Sequence, residues 1–447
     1  MWSNYSGLQQ RIYSMVVSSI FECLQVEVKA FYISSSPSAG LHQEDPCAKM
    51  VSLKSPVVKV LVCPSGFKGS LEPEAAANRI EQGILRALPT AAIRKLPLAD
   101  GGEGFTKTLV KVTAGEIRQI TVTGPLGIPI PSHFGILGGD RPKTAVVEIA
   151  AAAGLSLVPT DCRNPCITTT FGVGQLISAA LDEGVERILV GCGDSGVSDG
   201  GAGMLQALGA RLIGLDGLEM PRAGGGQSLL DLADIDFSGI DPRLNTVTLE
   251  AACNWKNMLC GPAGVGVART YGPQKGATVE QTEMLAEALD RYARVAKQSL
   301  GVDVSKAPGS GASGGLGTGL MLVGAKLRPR YDTIMKYFNT DKEIAACDLI
   351  FTAEGGIDAQ TPRGKIPAEV AIRAKKQGKH VIVLAGTVGD DAEVNYEVGI
   401  DAYTSILQKP STLEEAVRQT ERLLTDSAEH TMRMVVVGSS LPWKFSN

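Results

Sequence analysis

From Val57 onward the chain repeats one pattern: a short apolar run, a loop rich in glycine and carboxylates, then a stretch whose apolar residues have helical spacing. "VVKVLVCP" leads through "SGFKGS" to Glu74–Leu88, and "RILVGCG" leads through "DSGVSDGG" to Ala202–Leu208. Further on, "CDLIFTA" leads through "EGGIDAQTPRGK" to Ala368–Lys376, and "HVIVLAG" is followed by "TVGDDAEVN". Short apolar runs bounded by turn residues predict buried strands, and their alternation with helices predicts an α/β chain built on parallel sheet. Each polar cluster follows the carboxyl end of its strand. Open parallel sheets bind ligands outside those ends, so the loops are expected to share one crevice. Stripes at Met284, Leu285, Ala288, Leu289 and Tyr292, and at Leu413, Ala416, Val417, Thr420 and Leu424, predict core-facing helices. Residues 214–245, rich in Gly and Pro, predict an elaborated, strand-poor surface of the middle of the chain.

Residues 1–57 break the pattern. They are Ser-rich, with an apolar patch "MVVSSIF" and a turn-rich "SSSPSAGLHQEDP", and they predict a poorly structured extension. The first 21 residues hold one base, Arg11, and no acid, which is thin for a mitochondrial presequence; a secretory signal lacks its charged start and its small-residue cleavage site. Met50 stands just before the first core strand as an alternative start.

The length of 447 residues allows about two to three domains on the usual size prior. A net charge of −4 offers no basic footprint for nucleic acid or an anionic membrane, and no apolar run is long enough to span a bilayer, so the expected partner is a small molecule. The 52 glycines set against 5% aromatic residues point to tight backbone turns rather than stacking platforms. Nine cysteines without a CxxC pair predict reduced thiols in a cytoplasmic protein rather than a zinc site.

Two strings suggest a serine nucleophile: Gly193-Asp-Ser-Gly196, and Gly311-Ala-Ser-Gly-Gly315, which fits GxSxG. Neither has the required context. Ser195 lies in a strand-to-helix loop of an α/β chain, Pro308 and small residues precede Ser313 where an elbow needs a strand, and none of the four histidines lies in a glycine-rich loop. Gly309, Gly311 and Gly314 also spell GxGxxG, yet no strand leads in and Asp332 is the only acid near the ribose distance.

A Gly-rich loop that opens a helix binds phosphate well, because bare N–H groups and the helix dipole converge there. Lys68 sits between two glycines in the first such loop. Carboxylates recur at strand ends: Asp100 and Glu103 in "LADGGEG", Asp194 and Asp199 in "GDSGVSDGG", Glu354 and Asp358 in "AEGGID". Any one of them could cap a helix. Together with the lysines they suit a site that holds Mg²⁺ with a polyphosphate and activates a hydroxyl.

Over about residues 58–425 the chain resembles the type I glycerate kinase family. The strings that carry this are "SGFKGSL", "LPLADGGEGF", "VTGPLG", "VEIAAAAGL", "TTTFGVGQLI", "SDGGAGMLQALGARL", "GPQKGAT", "GSGASGGLGTGL" and "EGGIDAQTPRGKIP". The resemblance implies ATP- and Mg²⁺-dependent phosphorylation of D-glycerate, usually at the 2-hydroxyl. It also implies two α/β domains with the active site in the cleft between them. One would be Rossmann-like and discontinuous, residues 58–120 plus 305–447, and the other would span 121–304. Lys68, Ser70 and the Gly309–Gly319 loop, with Gly311, Gly314 and Gly315, would cradle phosphates. Asp199 would be the base or a metal carboxylate at the substrate hydroxyl, with Ser195 giving at most a hydrogen bond. Glu354 and Asp358 would hold Mg²⁺ or orient substrate, Asp100 and Glu103 would line the substrate site, and Lys275 and Lys365 would contact anionic groups.

Four positions depart from the family pattern. Ser65 stands where an aspartate is usual, "GVS" precedes Asp199 where "ATN" is common, Gly356 replaces an arginine, and Asn254 follows Cys253 in place of aspartate. A lost arginine weakens a carboxylate clamp, because its planar fork is hard to replace. Two other readings therefore stand beside the first: a kinase for another small hydroxy acid, and a non-catalytic relative that binds a nucleotide or metabolite.

Overall fold

The computed structural model describes residues 57–442 apart from 68, 99–100 and 140–141. Lys68, Asp100 and the expected N-terminal extension up to residue 56 lie outside the described residues.

The first strand, β1 (Lys59–Val62), is apolar on both faces, as a covered parallel strand must be. Val60 and Val62 enter one core, while Leu61 and the adjoining Cys63 enter another. Helix α1 (Pro73–Ala87) starts on a proline, whose missing N–H costs nothing there, and buries Ala76, Ala77, Ile80 and Ile84 on one face. Strand β2 (Ala92–Lys95) pairs parallel to β1, and α2 (Phe105–Val112) follows.

The chain then builds a second sheet. Strands β3 (Glu116–Thr123) and β4 (Pro129–Ile136) form an antiparallel hairpin. Next come β5 (Thr144–Glu148), α3 (Phe171–Asp182), β6 (Arg187–Gly191) and α4 (Ala202–Ala207). Strands β7 (Arg211–Gly214) and β8 (Leu232–Asp236) pair as a separate antiparallel ribbon, so the segment expected to be strand-poor contains a strand. Strand β9 (Thr248–Cys253), α5 (Val279–Leu300), α6 (Ala312–Leu322) and β10 (Lys326–Pro329) complete this part. The sheet order is β10-β9-β6-β5-β4-β3, parallel from β10 to β5.

Helix α7 (Arg330–Tyr337) returns the chain to the first sheet, where β11 (Leu349–Ile357), α8 (Ile366–Lys376), β12 (His380–Val388), β13 (Ala402–Ser405) and the long α9 (Leu413–Ser440) follow. Its order is β13-β12-β11-β1-β2, all parallel, so Val58–Cys63 and Val381–Ala385 lie in one sheet although about 320 residues of chain intervene. The ladders differ from the expected division at 120 and 305. Residues 116–120 pair with β4, and Lys326–Pro329 pair with Glu250–Cys253, so both belong to the six-stranded sheet.

Strand alternation organises the interior. Leu61, Ile350 and Val383 of the first sheet and Val146, Leu189 and Ala252 of the second share one core with Phe105, Ile334 and Val370. The outer face of the first sheet packs on α1 and α9, and the outer face of the second on α3, α4 and α5. In the first sheet the connections diverge between β1 and β11, so the loops after those strands flank a switch point of the kind that binds ligands.

Candidate active site

The loop after β6 gathers residues from four segments. Lys275 is 2% exposed, and its Nζ donates to Ser195 Oγ at 3.1 Å and to the Val197 carbonyl at 2.6 Å. Burial pushes its ammonium down to about 7, with the charge of Asp199 opposing. Gly314 lies over this contact with φ +71°; a Cβ there would stand 1.9 Å from the Val197 carbonyl oxygen and 3.1 Å from Nζ. Only glycine allows the kinked first turn of α6 to close so tightly on the 193–201 loop. Gly315 rests against Gly200, whose N–H donates to the Gly314 carbonyl at 3.0 Å, and Gly311 rests against Met258. Ser195, Asp199, Lys275, Gly314 and Gly315 are thus brought together.

Asp199, expected as base or metal carboxylate, is enclosed by donors. It has no exposed surface, and its carboxylate accepts from Thr170 N–H at 2.7 Å, the Thr170 hydroxyl at 2.8 Å and Gly201 N–H at 3.1 Å. Gly203 N–H at 3.3 Å and the Thr169 hydroxyl at 3.4 Å complete the set. Burial pushes this carboxyl above the usual range, and the hydrogen bonds from Thr170, Gly201 and Gly203 act against that rise. With five donors and no surface, Asp199 ties Thr169–Thr170 to the start of α4. Ser195 is held by Lys275 as acceptor, without a histidine, so it is no triad nucleophile.

A second group lies at the end of β11. Asp358 accepts the N–H groups of Gln360 at 2.8 Å and Thr361 at 3.1 Å, and Lys365 Nζ stands 3.4 Å from each of its oxygens. Burial opposes ionisation here, but these N–H groups and the Lys365 charge outweigh it and hold the carboxyl below its usual range. Lys365 also donates to the Gly356 carbonyl at 3.1 Å. Glu354, half-buried, lies on β11 just before them. Ser65 is tied to β11, with its hydroxyl donating to the Ala353 carbonyl at 2.9 Å. The Ser70 hydroxyl donates to the Val417 carbonyl at 3.1 Å and to Thr420 Oγ1 at 2.6 Å, both on α9.

Glu103 is exposed, and its N–H donates to Asp194 Oδ2 at 3.2 Å. This contact joins the loop before α2 to the loop after β6, and Gly193 packs against Gly102 at the same junction. One supporting residue was missed from sequence. Glu148, 2% exposed at the end of β5, accepts Thr106 N–H at 2.6 Å and Gly104 N–H at 3.2 Å, so it fastens the start of α2. Burial raises its carboxyl. Its only signal was its place inside "VEIAAAAGL", where a lone acid interrupts an apolar run. Among the described residues no three His, Cys, Asp or Glu side chains gather as a metal cage, and no helix is long and apolar enough to cross a membrane.

The profile of the glycerate kinase family matches residues 60–436. The chain is 45% identical over 360 residues to a glycerate kinase of Bacillus subtilis, covering 80% of this chain and 93% of the relative. It is 43% identical over 362 residues to a glycerate 2-kinase of Escherichia coli, covering 81% and 93%. A crystal structure from Salmonella typhimurium LT2, provisionally named glycerate kinase 2, superimposes with a TM-score of 0.73 at 41% identity, covering 86% of this chain and 100% of that one.

Proposed function

The chain belongs to the glycerate kinase family, and on that footing we propose that it transfers the terminal phosphoryl group of ATP to a hydroxyl of D-glycerate. The preferred position is the 2-hydroxyl, after the relative named glycerate 2-kinase. The observation that carries this reading is the convergence of Ser195, Lys275 and the left-handed Gly314–Gly315 turn at the carboxyl end of β6, inside a chain that keeps 43–45% identity to those relatives. Phosphoryl transfer asks mainly for positioning and charge neutralisation, so lysines, carboxylates and glycine backbone suffice without a histidine.

In this reading Lys275 supplies positive charge beneath the Gly314 turn, and Lys365 does so at the end of β11. Asp199 keeps the two glycine loops in register. Lys68, outside the described residues, remains a phosphate ligand by its place in "SGFKGS". Mg²⁺ would arrive with the nucleotide. The donor set fits an ion that keeps water and phosphate oxygens and borrows one or two carboxylates, Glu354 with Asp358, rather than one held in a protein cage. Such an ion would neutralise charge on the transferred group.

One observation widens the acceptor range. Gly356 itself carries no guanidinium fork to clamp a carboxylate, and its backbone carbonyl accepts from Lys365. Another small hydroxy acid is therefore the second acceptor to test. ATP turnover measured with and without glycerate decides the matter: glycerate-dependent ADP release supports the proposal, and turnover with a different hydroxy acid alone replaces the substrate. ATP binding without turnover on any acceptor makes the chain a non-catalytic relative. Phosphorus NMR of the product distinguishes the 2- from the 3-phosphate.

A further inference from the structure

Helices α1 and α9 cross closely at Gly83, where an added Cβ would stand 2.2 Å from the Thr425 carbonyl oxygen. Between the two helices lies a groove of about 490 Å³, a volume that suits a small organic molecule. Arg79 and Arg86 line it from α1, and Arg418 and Arg422 line it from α9. Only two carboxylates, Glu421 and Asp426, stand among them, so the groove is locally positive in a chain of net charge −4. Seven residues separate Arg79 from Arg86, about 10 Å along α1, so one oxyanion cannot meet both forks, whereas a ligand with two can.

The guanidiniums are held, but loosely. Arg79 pairs with Glu421, Arg86 stands 3.5 Å from Asp426 and 3.6 Å from Glu429, and Arg422 stands 2.9 Å from Asp426. Pairs as exposed as these contribute little energy, so they orient the forks without closing them to a stronger acceptor. Arg418 is exposed and makes no ion pair among the described residues. A carboxylate ligand would only match the resident acids. A phosphate group carries nearly twice the charge at neutral pH and accepts a guanidinium bidentately, so it displaces them.

The groove also touches the first glycine loop. Ser70, in the loop after β1, lines it, and its hydroxyl donates to the Val417 carbonyl and to Thr420 Oγ1. An occupant therefore lies against both α9 and the loop that flanks the switch point of the first sheet. We propose that the groove between α1 and α9 is a second ligand site, for a small molecule bearing at least two phosphate groups, and that its occupant braces the loop after β1 through Ser70.

The test is calorimetric titration with tripolyphosphate, and with inorganic phosphate as the single-group control, at fixed ionic strength and with a saturating non-hydrolysable ATP analogue filling the candidate active site. Wild type should bind tripolyphosphate at least about tenfold more tightly than phosphate, and amide exchange should slow across residues 69–86 and 417–426. Arg418→Ala and the double variant Arg418→Ala/Arg422→Ala should melt as wild type does without ligand, because exposed arginines hold little stability. Each arginine removed should weaken tripolyphosphate on the order of tenfold. Absence of binding with the analogue present overturns the proposal, as does a double variant whose affinity stays within about threefold of wild type. So does exchange that slows only in residues 193–201 and 309–319, because the anion would then occupy the candidate active site alone. Every readout is binding rather than turnover, so a chain that proves inactive on glycerate removes the kinase reading and leaves this test standing.

Discussion

Asp199→Asn should make the chain easier to unfold, where a pure base would leave its stability alone. Four of the five donors meet Oδ2, and Gly201 N–H alone meets Oδ1. An asparagine that keeps its carbonyl at Oδ2 turns its NH₂ toward Gly201 N–H, so two donors face each other in a buried site. A buried donor without an acceptor costs about 1–3 kcal/mol. Lys275 also loses the Asp199 charge that favours its ammonium, but the folded state no longer carries the buried carboxylate whose ionisation burial opposes. These two terms have opposite sign, which leaves a net loss of about 1–3 kcal/mol against a total stability of about 5–15 kcal/mol. Asp199→Ala strands the N–H groups of Thr170, Gly201 and Gly203 together, roughly 3–9 kcal/mol by the same rule, and should yield little folded protein. Urea unfolding read by circular dichroism measures the shift, with an unchanged m-value showing that the unfolding reaction is the same. Glycerate-dependent ATP turnover is followed beside it. An Asp199→Asn variant with a wild-type midpoint and kcat reduced by ~10²–10⁴ would return Asp199 to the substrate hydroxyl and refute the fastener role.

The strands that were legible are those whose apolar run is continuous. β1, β6, β11 and β12 are covered on both faces, so "KVLV", "RILVG", "LIFTA" and "HVIVLAG" show themselves without help from neighbours. β10 is the opposite case. "KLRP" has one apolar residue before its proline and takes its strand character from β9, more than 70 residues earlier, so no local pattern marks it. The glycine loops were legible as chemistry because few side chains are compatible with such close approach. What they did not reveal was depth. An aspartate flanked by Ser198 and Gly200 reads as a surface acid, and Asp199 is buried only because Thr169 and Thr170, about thirty residues upstream, are folded over it. The partners of Ser70 were hidden for a similar reason, since they lie about 350 residues away on α9. Asp194 had glycine neighbours but no mark of its left-handed backbone, whose carbonyl accepts from Leu155 N–H, about forty residues upstream.

A chain begun at Met50 should retain both its melting temperature and its turnover, because the family match starts at residue 60; loss of either would make the extension part of the fold. Gly314→Ala adds a left-handed penalty of ~1–2 kcal/mol to an overlap with the Val197 carbonyl worth ~1–3 kcal/mol, so its urea midpoint should fall well below that of Gly217→Ala, where φ is +77° but nothing lies within 4 Å. Equal midpoints would mean that the two glycine loops do not press together. Lys275 carries the pH dependence. In the unfolded chain its amine titrates near ~10.4, and in the folded chain burial brings it to about 7, so between those values the unfolded state binds a proton that the folded state does not. Stability must then rise with pH across that window, by up to about 1.4 kcal/mol per unit, and show no slope from this residue below about 7, where both states are protonated. Lys275→Met leaves Ser195 and Val197 without their donor, a cost that does not vary with pH, and removes the slope. The stability of wild type minus that of Lys275→Met should therefore grow from about pH 7 to about pH 9, while the wild-type KM for ATP worsens over the same range as the cation is lost. A difference that stays flat across that range would mean that the buried amine keeps its proton, and with it an anionic partner closer than Asp199 stands here.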